Sequence, residues 1–446
     1  MPVSSTPSAP SSSASHIISR RNSGCELIVG GYGFAYAAGL VTGGRLGDLY
    51  GHRTLFVLGM VAFTAASLLC GLATGPWQLV AFRVLQGATA ALMVPQMLAL
   101  INTLFPPAER ATAMAAFGAT VGLGAVAGQV LGGILLELDL FGWGWRTIFF
   151  INVPVGLVAA ALAARWLPGH RRTANPRLDP VGALGLAAAI ALILVPITLG
   201  RPAGWPLWTW VSMAAAPLVA VLTLRYERRL TAAGGDPVFD PNLVRDRVFG
   251  AGMVISGGYL AYFAGFMLCL TLLLQDGLGL SPLQAGFTFA PLGVAFAASS
   301  FLLARRVSAR IGNRVMSLGT VFSMTGLLLT VAVLEYAGGE GSAPMLVPGM
   351  LLAGIGNGLT IPTALGAVLS GIAPQQAGVA AGLLTSTQQF GNAIGATVLA
   401  TVFFAALGTH TGPASYGSAM QVAALVGLGL LAVVLAATFV LPRSAR

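Results

Sequence analysis

Charge is what this sequence has least of. Only 8% of its 446 residues are charged while 56% are hydrophobic; a soluble domain carries about 25% charged residues. Such a chain cannot cover a water-facing surface. A soluble enzyme is excluded, and a large protein embedded in a lipid bilayer remains. Lysine is missing altogether, since all 23 basic residues are Arg. Its absence excludes a Walker P-loop and the Schiff bases of pyridoxal phosphate and retinal, so ATP-driven pumping by this chain alone is not expected. The three cysteines, Cys25, Cys70 and Cys269, are too far apart for a disulfide framework or a metal-ligand spacing. The four histidines all lie outside the apolar runs. No metal and no cofactor are expected, and an intramembrane enzyme, which needs polar catalytic groups at one depth, ranks as a distant alternative.

What the sequence has in quantity is long apolar runs. A helix needs about 20 mostly apolar residues to cross a bilayer. Thirteen runs of that kind can be marked, from Leu27–Gly44, short and Gly-rich, to Ala419–Leu441. The expected organisation is a Ser/Pro-rich, disordered tail over 1–25, a five-helix bundle over 26–167 and a two-helix insert over 168–224. A polar linker over 225–247 and a six-helix bundle over 248–446 follow. Alternating the loops from side to side puts eighteen Arg on one side, four on the other, and Arg83 within a span. The Arg-rich side is cytoplasmic by the positive-inside rule, which places the C-terminus inside a plasma membrane crossed many times. The net charge of +10 is thus a signal of topology and not of nucleic-acid binding. Thirteen crossings leave Arg20 and Arg21 on the Arg-poor side, a local violation of the rule.

A shift of 267 residues aligns Gly87 with Gly354, Pro95 with Pro362, Pro107 with Pro374, Gly124 with Gly391 and Gly128 with Gly395. Five matches at one offset describe two parallel half-molecules, an arrangement used by secondary transporters with a central substrate path.

Several strings carry chemistry. After the first run comes Gly44-Arg45-Leu46-Gly47-Asp48-Leu49-Tyr50-Gly51-His52-Arg53. Its small residues let helix ends approach. Asp48 can pair with an Arg or cap a helix N-terminus, and Arg53 can pair with an acid or with the end of a neighbouring helix. The second half keeps a worn copy, from Arg306 to Gly312-Asn313-Arg314, without the acid. Arg83 opens Arg83-Val84-Leu85-Gln86-Gly87-Ala88, and an Arg in an apolar run is costly unless it faces protein or water. It either snorkels toward the outer surface or serves as a fixed charge that tunes a proton site or binds an anion. Its repeat partner is Met350. Gly124, Gly128 and Gly132, with Gly133, form a small-residue face on the fourth run, either for close helix packing or for function.

These strings resemble the major facilitator superfamily: the loop resembles G-x-L-x-D-x-x-G-R-[RK], Arg83–Gly87 resembles R-x-x-Q-G, and the glycine face resembles G-x-x-x-G-P-x-x-G-G with Gln129 in place of Pro. Trp145-Arg146, Phe149 and Ile151-Asn152-Val153-Pro154-Val155-Gly156, with Leu274-Gln275 and Ser281–Gly286, are similar to the fourteen-helix drug:proton antiporter branch. The resemblance runs from about Glu26 to Arg443. It implies an all-α membrane protein of two pseudo-symmetric bundles that exports small amphipathic drugs in exchange for protons, as in multidrug efflux and antibiotic resistance. It also implies a gating loop at Gly44, Asp48, Gly51 and Arg53, and a proton-coupling or anion site at Arg83, Gln86 and Gly87.

The family's first helix has no match, and residues 1–24 stand in its place. A mis-assigned gene start, giving a non-transporting fragment, competes with a working thirteen-helix transporter. No acid lies mid-span, so proton coupling is implied by resemblance alone. Polar residues within the spans are the candidates for a substrate cavity: Tyr32, Tyr36, Gln96, Gln129, Asn357, Gln388, Gln389 and Asn392. An interhelical hydrogen bond is the competing role for each amide.

Overall fold

A computed structural model describes residues 12–139, 142–169, 179–200, 204–233, 235, 246–338, 342–370, 372, 376–408, 410 and 412–441. Among them the chain is all-helical. The first half holds α1 (Ser12–Tyr50), α2 (His52–Gly71), α3 (Pro76–Leu104), α4 (Pro107–Leu138), α5 (Thr147–Phe150) and α6 (Asn152–Trp166). The insert is α7 (Pro180–Gly200) and α8 (Leu207–Ala232). The second half holds α9 (Arg247–Leu272), α10 (Pro282–Ala298), α11 (Arg305–Ile311), α12 (Arg314–Tyr336), α13 (Ala343–Ser370), α14 (Ala377–Leu407) and α15 (Pro413–Thr438).

Ten helical segments among the described residues are long and apolar enough to span a bilayer. In a bilayer every backbone N–H and C=O must be satisfied within the segment, which is why apolar runs this long become helices. Their starts are read from local chemistry. Proline occupies the first turn of α3, α4, α10 and α15, where its missing N–H costs nothing. Ser281 and Gln284 cap α10 reciprocally. Asp246 accepts from the N–H groups of Val248 and Phe249 at the start of α9.

The first helix reaches into the Ser/Pro-rich tail expected over 1–25. α1 begins at Ser12, well before the apolar run at Leu27. The last proline of the tail is Pro10, and the Ser, Ala, His, Ile and Arg that follow can extend a helix already fixed downstream. Residues 1–11 lie outside those described.

The repeat seen in the sequence reappears as packing. In the first half α3 lies between α1 and α2; in the second, α13 lies between α10 and α12. The halves meet along two seams, α1 on α14 and α10 on α4. The insert covers the first seam, where α7 touches both α1 and α14. One pairing lacks a counterpart. α9 lies along α14, with Gly391 and Gly395 against the backbone of Gly257 and Ala261 so closely that no Cβ would fit. Small residues on both faces permit that approach. On α4, Gly124, Gly128 and Gly132 have no heavy atom of the described residues within 4 Å of where a Cβ would stand. The small-residue face expected of the fourth run is present, but no described helix packs on it; only Gly133 meets a neighbour, Leu283. The buried core follows the same asymmetry. One large cluster around Tyr259, Tyr262, Leu327 and Phe403 fills the second half, while the first half has smaller clusters around Leu40 and Cys70.

Candidate functional site: a contact between the halves and an arginine cluster

The gating-loop residues form a contact between the two halves. α1 continues past its apolar run to Tyr50 and turns at Gly51, whose φ of 94° suits glycine. This places Asp48 on the last turn, facing α14. Its Oδ1 accepts from Gly378 N–H at 2.9 Å and its Oδ2 from Val379 N–H at 3.1 Å. These are among the first N–H groups of α14, which have no partner within their own helix. A carboxylate there also meets the positive end of the helix dipole. Of the two partners open to Asp48 from the sequence, the helix N-terminus is the one used. The approach requires glycine on both sides, because a Cβ on Gly44 would overlap the Gly378 carbonyl and a Cβ on Gly378 would overlap that of Gly44. Arg53 donates to the carbonyl of Ala164 near the end of α6, the helix-end option read from the sequence.

The latch is braced from behind. His52 Nε2 lies 3.5 Å from Asp48 Oδ1, with both side chains about 5% exposed or less. Its Nδ1 donates to Gln96 Oε1 at 2.8 Å. Gln96 Nε2 donates in turn to the carbonyls of Gly43 and Leu92, at 2.7 and 2.9 Å. Gln96, a candidate for the substrate cavity, thus has the interhelical hydrogen bonds that are the competing role for an amide. Asp48 lies beyond the apolar run, in the last turn of α1. Burial pushes its carboxyl up to about 7, while the Gly378 and Val379 N–H groups and the nearby Arg45 pull the other way.

The second group of residues lies toward the N-terminal end of α3. Arg83 is half-buried, and its Nη1 donates to Gln86 Oε1 at 2.6 Å. Gln86 Nε2 donates to Ser67 Oγ on α2, also at 2.6 Å. Asn152 of α6 reaches the same hydroxyl at 3.5 Å. The guanidinium stands 4.3 Å from the Tyr32 ring centroid and 5.7 Å from that of Phe149, contacts worth about 0.5–2 kcal/mol depending on desolvation. Tyr32 stacks on Tyr36 at 5.9 Å. Gly87 lets α3 approach α1, since its Cβ would overlap the Tyr32 carbonyl. Arg83 is thus held by one amide and two rings that join α1, α3 and α5.

The remaining cavity candidates divide. Gln388, Gln389 and Asn392 are half-buried on α14, and Asn392 donates to Gln389 at 3.1 Å. Asn357 is fully buried within the second half, where it accepts from Tyr259 at 2.9 Å. That is the interhelical role. The Gln129 side chain lies outside those described. Tyr259, whose hydroxyl also shares a hydrogen bond with Ser323 Oγ of α12, and Ser67 are not among the sequence candidates. Hydroxyls within otherwise apolar runs were the available signal, and only Tyr32 and Tyr36 were taken from it. Among the described residues no group of three or more His, Cys, Asp or Glu could hold a metal ion.

Residues 8–396 match the family model "Major Facilitator Superfamily". The chain is 39% identical over 385 residues to the "Probable actinorhodin transporter" of Streptomyces coelicolor, covering 86% of this chain and 67% of that one. It is 34% identical over 426 residues to the "Puromycin resistance protein pur8" of Streptomyces alboniger, covering 92% and 82%. To the "Tetracenomycin C resistance and export protein" of Streptomyces glaucescens it is 32% identical over 392 residues, covering 86% and 69%. The fold is similar to that of the human organic anion transporter MFSD10, with a TM-score of 0.60 and 20% identity over 91% of this chain and 83% of that one. With its sequence, its paired bundles and its relatives in agreement, the chain belongs to the major facilitator superfamily and is a multi-span membrane transporter, not an enzyme.

Proposed function

We propose that the chain exports a small, mostly apolar compound from the cytoplasm in exchange for protons, by alternating access. The observation that carries this reading is the Asp48 contact. One carboxylate at the tip of the first half caps a helix of the second, so the cytoplasmic side closes through an interaction that rigid-body rocking can break. Relatives named for resistance to, or export of, antibiotics support the direction and the broad substrate class. Arg83 serves as the fixed positive charge beside the path, held by Gln86 and Tyr32.

The coupling proton has a candidate in Asp48. Its carboxyl is raised to about 7 in the closed latch, and a solvated Asp titrates near 3.9. Closure therefore takes up a proton, is favoured as pH falls through about 7, and is penalised above it.

The test is drug accumulation in cells stripped of their own efflux pumps. Expression should lower the accumulation of amphipathic dyes, and a protonophore should restore it. Unchanged accumulation would remove the export reading; lowered accumulation that ignores the protonophore would remove only proton coupling. A second reading, a chain that does not transport by itself, draws on Gly124 and Gly128, which are uncovered where Gly391 and Gly395 are covered. It expects no change in accumulation despite correct insertion.

A further inference from the structure

The latch has a pseudo-symmetric counterpart that lacks its acid. The loops after α1 and α11 both turn at a glycine of positive φ, Gly51 at 94° and Gly312 at 58°. Aligning these two glycines puts Arg306 at the position of Arg45 and Ala309 at that of Asp48. Across the seam, the 267-residue repeat puts Thr112 of α4 at the position of Val379, one of the two residues whose N–H groups Asp48 caps. Where the first seam has a carboxylate, the second has a cavity of about 610 Å³. Thr112 and Ala115 of α4 line one side, and Phe301, Arg306, Ala309 and Arg310 line the other.

The walls define the occupant. Arg306 and Arg310 are four residues apart on α11 and so share a face. Among the described residues neither meets a carboxylate within 4 Å. Thr112 adds a hydroxyl. Phe301 and Leu302, just before α11, are 56% and 50% exposed. Both Arg belong to the cytoplasmic boundary, so the site has a cationic rim at headgroup depth and an apolar wall toward the bilayer. The inner wall is fixed, because Ser300 Oγ donates to the Ala115 carbonyl across the seam at 2.8 Å.

We propose that this cavity binds an anionic phospholipid of the cytoplasmic leaflet. The phosphodiester sits between Arg306 and Arg310 beside Thr112, and the acyl chains lie along Phe301 and Leu302. The lipid headgroup occupies on the second seam the place that the Asp48 carboxyl occupies on the first. A free phosphate would satisfy the two guanidinium groups but would leave the apolar wall bare.

The experiment uses the full chain in detergent with phosphatidylglycerol or phosphatidylcholine added. Retained lipid is read by native mass spectrometry and stability by thermal unfolding. The unaltered chain should retain and be stabilised by phosphatidylglycerol in preference to phosphatidylcholine. R306Q/R310Q should weaken that retention by about thirtyfold, each basic group near the surface being worth roughly fivefold. R306K/R310K should keep most of it. A309D leaves both Arg in place and restores the missing carboxylate; it should lose the lipid preference while remaining stable without it. R228Q/R229Q removes two other cytoplasmic Arg and should change nothing. Equal loss in R228Q/R229Q would mean diffuse attraction and would overturn the site. So would undiminished retention in R306Q/R310Q, or stabilisation by inorganic phosphate equal to that by the lipid.

Discussion

The two seams between the halves are built from the same repeat and closed by different means. On the α1–α14 seam Asp48 meets the N–H groups of Gly378 and Val379, and His52 and Gln96 stand behind it. On the α4–α10 seam the equivalent position is Ala309, and the space is a cavity rimmed by Arg306 and Arg310. The duplicated frame has kept its geometry while the carboxyl group that fastens it survives on one side only. The same divergence separates Arg83, with its ring and amide partners, from Met350, which is fully buried at the repeat position. It also separates Gly391 and Gly395 of α14, pressed against α9, from Gly124 and Gly128 of α4, which meet no neighbour among the described residues. Fold has been duplicated; chemistry has been assigned to one half at a time.

The largest expected effect breaks the glycine pair apart. Gly395→Leu drives a side chain into the backbone of Ala261 and should cost about 3 kcal/mol or more. Gly128→Leu, at the equivalent place on α4, should leave thermal unfolding in detergent unchanged. Equal losses would show that α4 has a neighbour on that face. Next comes Arg83→Ala, which should abolish export while membrane insertion stays intact. Met350→Ala should reduce stability and spare transport. Export that survives the loss of Arg83 would remove its functional role.

A subtler difference should appear with pH. Because the closed latch raises the Asp48 carboxyl to about 7, accessibility of a cytoplasmic-side cysteine should increase as pH rises from 6 to 8. Asp48→Asn keeps an acceptor without the titration and should make that accessibility independent of pH. No comparable pH dependence is expected on the α4–α10 seam, where Ala309 stands in place of the acid. The smallest effect is Asn357→Ala, which removes an acceptor from Tyr259 inside the second half and should cost about 1 kcal/mol. Thermal unfolding should register it, and the pH response of the latch should not.

Much of this was legible in the sequence. The apolar runs marked the helices because a bilayer leaves the backbone few alternatives. Repeated Gly and Pro marked the two halves, and the loop around Asp48 marked the latch. The identity of its partner was out of reach, because Gly378 lies 330 residues away and its side of the contact is backbone alone. The partners of Gln96 were out of reach for a similar reason. An amide in an apolar run fits a cavity wall and a brace behind a carboxylate equally well, and only the position of His52 decides. Asn357 reads the same way in sequence and turns out to be tied to Tyr259. The helix before Leu27 escaped notice because its residues are polar, and a span is recognised by apolarity, not by helical propensity.

The most direct measurement is disulfide cross-linking across the first seam. Val41 of α1 and Val379 of α14 are buried in one cluster beside the latch. In a chain whose own cysteines are replaced, V41C/V379C should cross-link readily at pH 6, and adding Asp48→Ala should sharply reduce the yield. The same yield with and without Asp48 would contradict the proposal that this carboxyl group holds the two halves together at the cytoplasmic side.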